Sequence, residues 1–347
     1  MTATAGTSTD PAFLLPPVVS DETGNVRTAG FEFEFAGLDL QRAAQLVQQV
    51  FDGRHEIDST FVHRVAGTRY GDFSIEIDTS LLKDKRYESA MRAVGLDPGK
   101  LDQGWVRNIE SALLSVASTL VPIEIGAPPI PITELQPLDD LRQLLLTAGA
   151  KGTRAALLYA FGLHINPRVP TLEPRSLLDH LRAFLLLYPW IAKRVDADIA
   201  RRVTPFINPF PPEYARLVLA DDYAPVTQER LIDDYLTHNP TRNRPLDMLP
   251  VLACLDHERI TAATKDPHLV KPRPTFHYRM PNCLVDEPEW RVAREWNTWV
   301  AVERLAADPR QLAAMSRDYL DAESQSFRPF YEKWPDVLEQ HLDRAAG

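Results

Sequence analysis

Residues 30–35 read Gly30-Phe31-Glu32-Phe33-Glu34-Phe35, two carboxylates alternating with three phenylalanines. Successive side chains of an extended chain point to opposite faces, so Glu32 and Glu34 share one side and the phenylalanines the other. Like charges held that close repel, so the pair rests either in open solvent, as on any amphipathic strand, or against a cation. The same pattern recurs further along the chain, and the recurrence decides the reading.

Four more segments follow the rule. Phe73-Ser74-Ile75-Glu76-Ile77-Asp78 puts Ser74, Glu76 and Asp78 on one face, and the short apolar run Val121–Gly126 is interrupted by Glu124 before the Pro128-Pro129 turn. Phe161–Pro167 opposes His164 and Asn166 to Leu163 and Ile165, and Pro274–Pro281 opposes Thr275, His277 and Arg279 to Phe276, Tyr278 and Met280. The alternating runs His55–Val65 and Arg69–Ile77, separated by Ala66-Gly67-Thr68, read as a hairpin. Helical spacing predicts helices over Leu38–Phe51, capped by Asp39, then Trp105–Leu120, Glu134–Ala148, Pro288–Ala307, Pro309–Ala322 and Arg328–Arg344. The expectation is an α+β fold: an antiparallel sheet with helices packed behind it. Residues 1–28 read as a flexible tail. Residues 29–347 read as one domain, with a helical insertion at about 174–250 and C-terminal helices at 288–344.

Composition narrows the function. The 347 residues are 44% hydrophobic and 25% charged, ordinary globular values. With 48 Asp plus Glu against 38 Lys plus Arg, the net charge of −10 disfavours nonspecific attraction to nucleic acid or an anionic membrane. Cys254 and Cys283 are too few for a disulfide framework or a cysteine zinc site, which predicts a reducing, cytoplasmic setting. The longest apolar stretch, Phe184–Ala192, contains a proline and is far short of the ~20 residues that span a bilayer. The amino terminus lacks the basic segment and apolar run of a secretory signal. The phosphate-binding Gly-x-x-x-x-Gly-Lys-Ser/Thr loop, His-Glu-x-x-His and Gly-x-Ser-x-Gly are all missing.

If the five strands share one sheet, their polar rows line one surface, and that surface collects metal ligands and phosphate binders. Glu32, Glu34, Glu124, His164 and His277 are the donor types that surround Mg²⁺ or Mn²⁺, and Arg279 offers a fixed fork to a phosphoryl group. Arg242, following Asn239-Pro240-Thr241, is either surface charge or a second cation for nucleotide phosphates. His55, His63, His257 and His268 have no comparable context and read as structural.

The order of these pieces resembles the amidoligase family, carboxylate-amine ligases related to glutamine synthetase and glutamate-cysteine ligase. The matching pieces are Glu-x-Glu in GFEFEF, Phe73-x-x-x-x-Asp78-x-Ser80, Glu124 before a proline-rich turn, Gly-x-His-x-Asn in GLHINP, and the late strand ending in Arg279. The resemblance implies a twisted antiparallel sheet, glutamine synthetase-like, whose concave face holds ATP and Mg²⁺. It implies metal ligation by Glu32, Glu34 and Glu124, with His164 near the ATP phosphates and a metal. By the same analogy Asp78 acts near the substrate amine and Arg279 steadies the transferred phosphate. The implied reaction joins a small-molecule or peptide carboxylate to an amine through an acyl phosphate, with Asp78 or Glu76 accepting the ammonium proton. In two places this chain departs from the family pattern: His277 stands where relatives carry Glu, and Asn166 where many carry a second His. The first departure keeps a ligase-like scaffold that binds a partner in view, and a metal-dependent hydrolase would need the same cations without a nucleotide.

Overall fold

The structure, a computed structural model, describes residues 12–77, 122–154, 161–195, 208–265, 267–324, 334–335, 338 and 341. The sheet is built outward from β1 (Thr28–Phe35), in which Ala29, Phe31, Phe33 and Phe35 are buried while Thr28, Gly30, Glu32 and Glu34 are half-buried. Its strands are β2 (Arg54–Ser59), β3 (Val62–Thr68), β4 (Gly71–Ile77), β5 (Ile123–Gly126), β6 (Ile130–Pro131), β7 (Leu163–Pro167), β8 (Leu246–Asp247) and β9 (His277–Tyr278). They lie in the order β2-β3-β4-β5-β1-β7-β9-β8, with β6 also paired to β1, and every pairing is antiparallel. The α+β expectation with a large antiparallel sheet therefore holds.

The helices are α1 (Leu40–Phe51), α2 (Gln136–Ala148), α3 (Pro174–Arg194), α4 (Pro212–Leu219), α5 (Gln228–His238), α6 (Leu249–Leu255), α7 (His257–Ala263), α8 (Val292–Ala306) and α9 (Pro309–Ser324). Local chemistry starts and stops them. The Asp39 side chain accepts from Arg42 N–H to cap α1, and Gly149 at φ 87° ends α2 in the left-handed conformation glycine tolerates. For α8 the cap comes from another helix: buried Asp139 of α2 accepts from the Val292 and Ala293 N–H groups at 2.7 and 3.3 Å.

Aromatic side chains fasten helices to the apolar face. Phe31 meets Trp296 of α8 at 6.2 Å, Phe276 and Tyr278 meet Trp299 at 5.3 and 5.6 Å, and Phe184 of α3 meets Tyr278 at 6.0 Å. At the other end Phe51 of α1 packs on Phe73 at 4.4 Å. With one face packed in this way, the alternation rule leaves the other for the polar rows.

The expected hairpin is a three-stranded meander. The run His55–Val65 breaks at Thr60-Phe61, where Phe61 N–H is held by Ser59 Oγ at 3.2 Å. The expected Ala66-Gly67-Thr68 turn is instead a register shift inside β3, and the chain reverses at Arg69-Tyr70. Gly67 at φ 72° supplies a bulge, and its N–H goes to the Asp72 side chain at 2.8 Å. Edge strand β2 carries Arg54, Glu56 and Asp58, tied by Arg64 to Glu56 and Asp58, charges that discourage edge-to-edge pairing. The segment 174–250, read as helical, includes α3, α4 and α5 and also β8, which joins the sheet through β9. The predicted helix Trp105–Leu120 and most of Arg328–Arg344 lie outside the described residues. No helix among the described residues is long and apolar enough to cross a membrane.

Candidate functional site

The pairing register decides which polar residues meet. Across β4, β5 and β1, Glu76 stands opposite Glu124, and Glu124 opposite Glu34. One row along, Ser74 stands opposite Gly126, Gly126 opposite Glu32, and Glu32 opposite His164. Directly opposed side chains have Cβ atoms roughly 4.5–5.5 Å apart, so the register sets three carboxylates side by side next to a carboxylate–imidazole pair.

Glu32 is the hub. Its Oε2 lies 2.9 Å from His164 Nδ1, and its Oε1 accepts from Asn166 Nδ2 at 2.9 Å. His277 Nε2 stands 3.8 Å from Oε2, and Arg273 3.9 Å from Oε1. Glu34 reaches the same neighbourhood: its Oε1 is 3.8 Å from His164 Nε2 and its Oε2 accepts from Gly162 N–H at 2.7 Å. The rings of His164 and His277 meet edge to face at 5.2 Å. One donor atom each from Glu32, His164 and His277 lies within 4.8 Å of the others, a spacing one divalent cation can bridge.

The electrostatics suit ligation. Burial alone would push the Glu32 carboxyl up, but the bond to His164 and the electrostatic pull of His277, His164 and Arg273 on its ionised form outweigh it, and the carboxyl is held well below the usual carboxylate range. Burial pushes His277 down to about 4, against the pull of Asp247 and Glu32, so its ring is neutral at physiological pH, the form that binds metal. Asn166 Oδ1 and both His277 ring nitrogens are buried without a hydrogen-bond partner. Atoms in that condition are what an additional ligand would satisfy.

Arginines gather at the β9 end. Arg279 donates to the Arg242 carbonyl at 2.5 Å, and burial, with Arg279 and Arg273 alongside, pushes the Arg242 guanidinium down while Asp247 and Glu32 pull it back. The Nε atoms of Arg273 and Arg279 are buried and unpaired. This end is fit for an anion of several oxygens.

Of the residues singled out in the sequence, Glu32, His164, Asn166 and His277 converge directly. Glu34 adjoins them, Glu124 and Glu76 extend the same face across β5 and β4, and Arg279 and Arg242 flank it. Asp78 lies outside the described residues. His55 and His63 pair with each other at 3.1 Å on β2 and β3. Sequence reasoning missed Arg273, which sits between prolines with no alternation around it, and Asp247. Asp247 is fully buried on the two-residue β8, its Oδ2 3.5 Å from His277 Nδ1. A strand that short leaves no periodic signal.

Comparison with known proteins adds one match. A family model described as "Putative amidoligase enzyme" covers residues 25–301, a span that contains every strand of the sheet and every residue of the site above. No curated protein and no solved structure matched the chain.

Proposed function

Since the chain belongs to the amidoligase family, we propose that it joins a carboxylate to an amine at the expense of ATP, using Mg²⁺ or Mn²⁺ on the polar face of the sheet. The observation that carries this reading is the convergence of Glu32, His164, Asn166 and His277 beside Glu34, with Arg242, Arg273 and Arg279 at one end. Carboxylates, two imidazoles and an amide oxygen make a donor set for a divalent cation, and unpaired buried atoms of His277 and Asn166 are free to serve it.

Glu32, Glu34, Glu124, His164 and His277 would hold the cations. The bound metal supplies positive charge that neutralises the phosphate oxygens of ATP. Arg279, with Arg273 and Arg242, binds the transferred phosphoryl group and offsets its charge in the transition state. The substrate carboxylate oxygen forms a bond to the γ-phosphorus as the bond to ADP breaks, giving an acyl phosphate. The amine then attacks the acyl carbon, inorganic phosphate leaves, and the proton lost from nitrogen passes to Glu76, which lies on the same face as Glu124. Asp78 is the alternative acceptor by analogy with the family. The substrates are a small-molecule or peptide carboxylate and amine.

Calorimetric titration of ATP with Mg²⁺ or Mn²⁺ into the wild type and into Glu32→Gln/Glu34→Gln tests the reading. The expected result is metal-dependent ATP binding that is lost in the variant, followed by ADP release when acids and amines are supplied. Absence of ATP binding by the folded wild type would overturn it. In that case, metal binding on its own would favour a hydrolase, and no metal binding would favour a ligase-like scaffold for a protein or peptide partner, the reading that His277 in place of glutamate supports.

A further inference from the structure

An alternating file of acids and imidazoles crosses the site. Asp247 Oδ2 lies 3.5 Å from His277 Nδ1, His277 Nε2 lies 3.8 Å from Glu32 Oε2, and Glu32 Oε2 lies 2.9 Å from His164 Nδ1. His277 thus presents one ring nitrogen to each of two carboxylates. Its side chain is only 5% exposed, and neither nitrogen has a hydrogen-bond partner. Asp247 is 0% exposed; its Oδ1 accepts from Leu249 N–H at 3.0 Å, while its Oδ2 is unpaired and faces the imidazole.

A carboxylate behind one nitrogen of an imidazole fixes the tautomer: the proton sits on the nitrogen facing the acid and the lone pair on the other. At 3.5 Å the contact is open, and contacts of this type tighten when the site is occupied. We propose that Asp247 is a positioning residue for a metal ligand: it holds the Nδ1–H tautomer of His277 and turns the Nε2 lone pair toward Glu32 and His164. This completes a two-imidazole, one-carboxylate set that selects a first-row transition ion over Mg²⁺. Imidazole suits the borderline ions, whereas Mg²⁺ prefers an all-oxygen shell, so the two imidazoles of His164 and His277 tilt selectivity away from Mg²⁺. Asp247 lends anionic character to the imidazole through its second nitrogen, raising the basicity of the ligand.

The proposal rests on the reading of this face as a metal site for ligation, but its test needs no turnover. Co²⁺ and Mg²⁺ are titrated separately into the nucleotide-free full chain by calorimetry, with the visible absorption of Co²⁺ as a second readout, for wild type, Asp247→Asn and His277→Glu. Asp247→Asn keeps an oxygen for Leu249 N–H but puts an NH₂ group where the imidazole Nδ1–H needs an acceptor. Expected are a roughly 10–100-fold loss of Co²⁺ affinity in Asp247→Asn with an unchanged thermal midpoint, and a fall of about tenfold or more in the Co²⁺:Mg²⁺ affinity ratio in His277→Glu. Pulsed electron paramagnetic resonance of Mn²⁺ bound to the wild type should detect two imidazole nitrogens. Wild-type affinity for Co²⁺ in Asp247→Asn, an unchanged ratio in His277→Glu, or fewer than two coupled nitrogens would overturn the proposal; if Asp247→Asn does not fold, the last two measurements decide. Metal selectivity as expected but no ADP release would remove the ligase reading and leave this one standing, and ADP release without metal discrimination would do the reverse.

Discussion

At the scale of single residues the site is a set of ionisations displaced by neighbours, which makes it sensitive to acid in a defined order. His277 has its folded-state pKa lowered from 6.5 to about 4, so between those values the unfolded chain binds a proton that the folded one refuses. Stability of the metal-free protein therefore falls as pH drops from about 6.5 to about 4, the reverse of a histidine stabilised by gaining a partner. Glu32, held below its ordinary 4.5, contributes stability that is present above that pH and lost as pH falls beneath it. Urea midpoints measured from pH 7 to pH 4 should show the decline in the wild type and a flatter profile in His277→Gln; parallel profiles would mean that His277 is not buried in its neutral form. Gly162 is a second constraint at this scale. A Cβ there would lie 2.8 Å from His164 Nε2 and 3.5 Å from Glu34 Oε2. Under the proposed function, Gly162→Ala should leave the circular dichroism spectrum and melting curve nearly unchanged while weakening metal-dependent ATP binding about tenfold or more, because displacing His164 and Glu34 would cost affinity on that scale. An unaffected binding isotherm would show that His164 does not sit where ligands meet.

Among elements, the pair β9 and α8 matters most. β9 is two residues long, yet it carries His277 on the polar face and Tyr278 on the apolar one, where Trp299 and Phe184 hold it. Aromatic packing on one face and antiparallel pairing to β7 and β8 on either side together keep this strand in place. Behind it, Glu295 of α8 is buried, accepts from Trp290 Nε1 at 3.1 Å, and has its other oxygen unpaired. Burial, against the pull of Arg294, the Trp290 bond and Arg194, raises its pKa from 4.5 to about 7. Between those values the folded state holds a proton that the unfolded state lacks, so stability is lost as pH rises from about 4.5 to about 7, and the penalty persists above. Glu295→Gln keeps the acceptor for Trp290 and removes the ionisation. Relative to wild type it should be more stable at pH 8 than at pH 5, by up to a few kcal/mol at about 1.4 kcal/mol per pKa unit. Chemical denaturation at the two pH values checks this, and an equal difference at both would place the carboxylate in water.

On the scale of the whole molecule, one buried ion pair joins the start of the sheet to the C-terminal helices. Arg27 donates to both oxygens of Glu303 on α8 at 2.7 and 2.8 Å, and also to the carbonyls of Val18 and Arg168, while Trp299 Nε1 donates to Glu303 at 2.6 Å. Removing one partner strands a buried charge, so Glu303→Leu should destabilise by about 3–5 kcal/mol, and Arg27→Met/Glu303→Leu should recover much of that. Denaturant titrations of both variants test the pairing; a double variant as damaged as the single one would assign the loss to packing instead. By itself the sequence determined that Glu32 shares a face with Glu34, and His164 with Asn166, because side-chain alternation is a local property of extended backbone. It likewise located α1, α2, α8 and α9 to within a few residues, since helical spacing and caps are also local. It misplaced the turns of the β2–β4 meander because Gly67 serves a bulge as readily as a turn, and only cross-strand pairing chooses between them. Which row faces which was decided by the tertiary structure alone: the antiparallel register sets Glu32 opposite His164 and Glu34 opposite Glu124. Asp247 and Arg273 join the site only when β8, β9 and the chain before them fold against β7, because contacts between residues distant in sequence leave no period in either segment for a reader to find.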